Sequence, residues 1–79
     1  MLSTAKDVGV LVQQARKALG LTQETLAMLA GTGLRFISEL ENGKPTCELE
    51  KTLTVLKTLG VRINATTTYS DVPPLYGKD

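Results

Sequence analysis

Arg35 and Ser38 are the residues of this chain best suited, by type and spacing, to recognise another molecule. They stand three positions apart, so a helix through them places both on one side. A guanidinium can donate paired hydrogen bonds to the O6 and N7 of guanine, and a hydroxyl can donate to or accept from a base edge or a phosphate. Gly33 and Leu34 stand at the start of the same helix, with Leu34 suited to a thymine methyl. Glu39 can accept from a cytosine amino group or be held by a cation of its own chain. The chemistry on offer is hydrogen bonding to the edges of nucleic-acid bases.

A second set is suited to positioning. Thr22 and Gln23 open the preceding helix, where side-chain amides and backbone N–H groups meet a phosphate. Asn42 and Lys44 follow the expected reading helix and can touch the same strand further along. Arg16 and Glu41 have opposite charge and are expected to tie the first helix to the end of the reading helix, which makes Glu41 structural. Phe36 is expected beside Leu40 in the core, with contact to a sugar as the alternative.

Catalysis has little to stand on. The chain has no histidine and one cysteine, Cys47, which removes the usual general base, the usual metal ligand and any internal disulfide. There is no phosphate-binding glycine loop and no nucleophile beside a base. Cys47 reads as a small half-buried residue, a lowered thiol pKa near a helix start being the alternative. No enzyme, cofactor, metal or small-molecule substrate is expected. No apolar stretch approaches the length of a membrane span, and a cytoplasmic location is expected.

The elements that must hold these residues are legible around them. The run TQETLAMLAGTGLRFISELENGK, residues 22–44, has the spacing of a helix-turn-helix unit. Leu26, Ala27 and Ala30 face one helix inward, Ile37 and Leu40 the next, and Gly31 and Gly33 bracket the turn. Ala27 permits close approach of the pair, Gly31 fits a left-handed helix end, and Thr22 can cap the first helix. Upstream, Val8, Leu11, Val12, Ala15 and Leu19 recur at helical spacing over residues 3–19, with Ser3 or Thr4 as the cap. Downstream, Thr46 can cap a helix to about residue 59, with Leu49, Leu53 and Leu56 inward and Val55 and Leu59 widening the stripe toward a partner, packing against the first helix being the alternative.

After Gly60 the pattern alternates, with Val61, Ile63 and Ala65 on one side and Arg62, Asn64 and Thr66 on the other, the signature of one strand. A lone strand lacks ladder partners, so the same strand of a second copy is the expected mate, with a Thr-rich tail of no regular structure as the alternative. Val55, Leu59, Val61, Ile63 and Ala65 are thus the expected dimer residues. Nine Lys and Arg stand against eight Asp and Glu, a net charge of +1. One copy would hold DNA weakly, and two copies double the phosphate contacts. The expected organisation is a DNA-binding domain at 3–60, a dimerisation strand at 61–69 and a flexible tail at 70–79 whose two prolines exclude a sheet.

The segment Leu21-Thr22-Gln23-Glu24, with Leu26-Ala27, Gly31 and then Ile37-Ser38, Leu40-Glu41-Asn42-Gly43-Lys44, resembles the Cro/C1-type helix-turn-helix family over residues 8–60. Thr32 and Leu34 depart from that family's usual pattern. The layout, and the run from Arg35 to Glu41 with Gly43-Lys44-Pro45-Thr46, is similar to HipB-type antitoxins. The resemblance implies a mainly α, lambda-repressor-like helical bundle with one C-terminal β-strand paired across a homodimer. It implies a repressor that binds a palindromic double-stranded DNA operator in its own promoter and neutralises a HipA-like kinase toxin. A stand-alone phage or restriction-modification controller, and a protein-interaction subunit with vestigial DNA binding, are the other readings.

Overall fold

The structure is a computed structural model and describes residues 2–63. Four helices follow one another: α1 (Ala5–Ala18), α2 (Gln23–Ala30), α3 (Leu34–Glu41) and α4 (Leu49–Thr58). Each begins and ends for a local reason. Thr4 and Asp7 form a reciprocal capping box on α1, the Thr4 hydroxyl accepting from the Asp7 N–H and the Asp7 carboxylate from the Thr4 N–H. The Thr22 hydroxyl accepts from the Thr25 N–H at the start of α2. All four helices close with a glycine in the left-handed region. At the end of α3 the Gly43 N–H bonds the Leu40 carbonyl and the Lys44 N–H bonds the Glu39 carbonyl, both at 3.0 Å, the paired bonds of a Schellman motif.

The core is built from Val12, Leu26, Ala27, Ile37, Leu40, Val55, Leu56 and Leu59, with Val8, Leu11, Ala15, Leu21 and Phe36 packed against it. Helix α3 packs on both α1 and α2, and α4 closes the core from the α2 side. Two glycines set how closely α1 can lie on the end of α3. A Cβ on Gly9 would stand 2.5 Å from the Leu40 carbonyl oxygen and 2.7 Å from that of Glu41. Gly43 has φ +79°, and a Cβ there would stand 2.8 Å from the Lys6 Cα. Both contacts are backbone against backbone, so no side-chain rotation relieves them.

Several expectations are corrected. The fourth helix is capped at Glu48 and not at Thr46, and Glu48 makes no side-chain capping bond. Its inner face is Thr52, Val55, Leu56 and Leu59, while Leu49 is 70% exposed and Leu53 lies outward. Thr52 can point inward because its hydroxyl bonds the Glu48 carbonyl one turn back, at 2.8 Å. Val55 and Leu59, expected at a dimer surface, are therefore packed inside a single chain, and the outward apolar pair of α4 is Leu49 and Leu53. Among the described residues there is no strand: Val61 packs on the core and Ile63 is exposed, both in irregular backbone. The remainder of the expected strand, with Ala65, and the tail at 70–79 lie outside the described residues. No described helix is long and apolar enough to cross a membrane.

Candidate nucleic-acid interface

Helix α3 has two unlike faces. Ile37, Leu40 and Glu41 are buried against α1 and α2, while Leu34 and Arg35 project outward from the first turn. Ser38 and Glu39 continue the outward face one turn on and are half-buried. Gly33 caps this helix without a side chain, so the first N–H groups of α3 are left to an outside acceptor. The structure thus brings Gly33, Leu34, Arg35, Ser38 and Glu39 onto one surface. Phe36 turns inward against the core with the Lys51 ammonium 5.8 Å from its ring centre, which answers the choice between core and sugar.

What fixes the inner face is a buried ionic cluster. Arg16 Nε donates to Glu41 Oε2 at 2.6 Å and Nη2 to Oε1 at 3.0 Å, a bidentate pair joining α1 to α3. Arg16 Nη1 donates to the Leu21 carbonyl at 2.8 Å, and Gln23 Nε2 donates to Glu41 Oε1 at 3.0 Å, which adds the start of α2. Burial pushes the Glu41 carboxyl up, but the Arg16 guanidinium and then the Gln23 amide outweigh it and hold the group below the usual carboxylate range. The same contact raises the guanidinium of Arg16 further above its ordinary value.

A second, exposed cluster lies on the outer face. Glu39 Oε2 receives Arg35 Nε at 3.3 Å and Lys44 Nζ at 3.2 Å. The Lys44 contact, followed by that of Arg35, holds the Glu39 carboxyl below its ordinary value against the opposing effect of desolvation. The Arg35 side chain is 90% exposed, so it is held only lightly.

The backbone-positioning set is partly engaged inside the protein. Thr22 is exposed at the α2 start, where its hydroxyl caps the helix. Gln23 is committed in part to Glu41, and Asn42 donates its side-chain amide to the Ser38 carbonyl at 2.9 Å, closing α3. The phosphate contacts expected of these two amides thus compete with bonds they already make. Cys47 is half-buried in the loop before α4, and burial, then the nearby Glu39, push its thiol up. Both effects work against an activated thiolate and favour the small half-buried residue. The sequence pattern marks Gly43 only as part of a break and a motif and does not mark Gly9, although a glycine within the apolar stripe of α1 is itself a sign of close approach.

This arrangement of two short helices, a tight turn and an exposed first turn is shared with known proteins. A helix-turn-helix domain model matches residues 9–69. A Sinorhizobium fredii protein described as the uncharacterized HTH-type transcriptional regulator y4mF is 51% identical over 63 residues, covering 80% of this chain and 83% of that protein. Among solved structures, a chain of the HipB-O4 20mer complex matches with a TM-score of 0.77 at 20% identity, covering 87% of this chain and 97% of that one. A chain of the HipA-HipB-O2-O3 complex matches with a TM-score of 0.77 at 22% identity, with the same coverage of both chains. At such identities these two likenesses establish the fold, which is that of HipB in its helical part. The family match over most of the chain and the half-identical relative go further: the chain belongs to the helix-turn-helix family of transcriptional regulators, and not to a family of enzymes.

Proposed function

We propose that this protein is a sequence-specific transcriptional repressor that binds a palindromic operator as a homodimer, with α3 as the reading helix. The observation that carries this reading is the contrast across α3. Its inner face is clamped by the Arg16–Glu41–Gln23 cluster, and its first turn offers Leu34 and Arg35 to solvent. Arg35 would read guanine, Ser38 a base edge or phosphate, and Leu34 a thymine methyl. Thr22, Gln23, Asn42 and Lys44 would set the register on the backbone, and Gly33 and Glu39 would lie at the edge of the read bases.

A net charge of +1 is small for a lone DNA-binding domain, which favours two copies on one site. A two-fold dimer would set its two reading helices on the two halves of a palindrome. The fold likeness to a chain of the HipA-HipB-O2-O3 complex supports a HipB-like antitoxin role, in which the same dimer holds a HipA-like kinase.

The test is binding to a fragment of the protein's own promoter over a salt series, with sedimentation of the free protein. A dimer that prefers a palindrome, with affinity falling steeply as salt rises, is expected. Arg35→Ala should weaken operator binding about ten-fold or more. Equal binding of wild type and Arg35→Ala, or of operator and scrambled DNA, would overturn the reading.

A further inference from the structure

We propose that Glu39 is a specificity-determining residue: it leaves the terminal fork of Arg35 free for guanine and opposes the use of Arg35 on phosphates of arbitrary sequence. The proposal rests on the DNA-binding reading above and deepens it.

Two features of the helix fix this cluster. Arg35 precedes Glu39 by one turn, so the two side chains lie over the same stretch of surface. Lys44 follows the helix end, where the Schellman motif bonds its N–H to the Glu39 carbonyl at 3.0 Å and so delivers its side chain beside the carboxylate. One oxygen, Oε2, takes both cations.

The atom that Arg35 gives to Glu39 is Nε. Among the described residues its terminal nitrogens Nη1 and Nη2 have no partner, and these form the fork that can donate to guanine O6 and N7. A guanine edge is neutral, so Arg35 can engage it without leaving Glu39. Phosphate pairing is different. There the guanidinium must compensate an outside anion, and the carboxylate beside it is repelled by that anion. Glu39 thus lies at low cost beside a guanine, or beside a cytosine amino group to which it can accept, and at higher cost beside bare phosphates. Discrimination gained by penalising the wrong complex is a recognised route to specificity.

The experiment compares wild type with Glu39→Gln on the promoter palindrome and on scrambled duplex of equal length, each over a salt series. Glutamine keeps the size and removes the charge. Binding to scrambled DNA should tighten several-fold, and the ratio of operator to scrambled affinity should fall about ten-fold. The salt slope on scrambled DNA should steepen by about one as a released cation gains a phosphate. Arg35→Lys supplies the second arm: lysine retains a charge for Glu39 but has no fork, so guanine preference should be lost while the salt slope changes little. An unchanged affinity ratio in Glu39→Gln, or equal loss on both duplexes, would overturn the proposal with the repressor reading intact. A wild-type protein with no operator preference would overturn both.

Discussion

Helix α3 carries two glutamates two residues apart, and each gathers two other side chains, yet the two clusters do different work. The Glu41 side chain is 2% exposed and joins α1, α2 and α3. The Glu39 side chain is 30% exposed and its partners are local, one a turn before it and one just after the helix ends. Burial decides the difference. A buried carboxylate has lost its water and depends on the partners it has, whereas an exposed one can exchange a partner for solvent or for a ligand. The inner cluster is therefore architecture, and the outer one is available for binding.

The sharpest way to break this comparison is to remove each carboxylate in turn. Glu41→Ala leaves the Arg16 guanidinium buried without its counter-charge, which costs about 3–5 kcal/mol in unfolding experiments. Glu39→Ala should leave the urea midpoint nearly where it was. If the two variants unfolded alike, burial would not be what separates the clusters. The double variant Arg16→Met, Glu41→Leu refines the point. Removing both charges together should restore most of the stability lost in Glu41→Ala, because apolar side chains of similar volume often replace a buried pair without loss.

The next effect comes from the backbone contact beneath the inner cluster. Gly9→Ala would force α1 away from the carbonyl oxygens of Leu40 and Glu41, which stand 2.5 and 2.7 Å from the added Cβ. Such overpacking costs about 1–3 kcal/mol. It should also lengthen the Arg16–Glu41 contact, so adding Gly9→Ala to the Arg16→Met, Glu41→Leu background should cost less than adding it to wild type. Simple additivity would show that the glycine and the ion pair act independently.

These contrasts also explain what could be read without coordinates. The turn at Gly31 and Gly33, the apolar faces of α2 and α3 and the pairing of Arg16 with Glu41 were legible because residue type and helical period determine them. The inner face of α4 was not, because Leu49 and Leu53 mark the apolar stripe of an isolated helix. Inside the protein Thr52 replaces them, its hydroxyl satisfied by its own backbone. Gln23 and Asn42 suit phosphate contacts by type and position, but an amide's choice between phosphate, carboxylate and carbonyl depends on distances that no pattern encodes. The same holds for Cys47, whose thiol is governed by burial and by Glu39 across a loop. The expected dimer residues Val55 and Leu59 fell to the same limit: a wide apolar stripe on α4 does not reveal which part of it the chain keeps for its own core.

The smallest effect is in acid. Glu41 has its folded pKa held below the ordinary carboxylate value, so in the folded protein it binds its proton less readily than in the unfolded chain. Stability from this group is fully present above the ordinary carboxylate value of the unfolded chain and is lost as pH falls through the lower, folded one. Thermal midpoints should therefore fall between neutral pH and the lower edge of the carboxylate range in wild type, and fall less in the Arg16→Met, Glu41→Leu variant. Glu39 is lowered as well, but it is exposed and its two cations are solvated, so Glu39→Gln should retain nearly the whole acid-side loss of wild type. If the acid profile flattened in Glu39→Gln and persisted in the double variant, the assignment of architecture to the inner cluster and binding to the outer one would have to be exchanged.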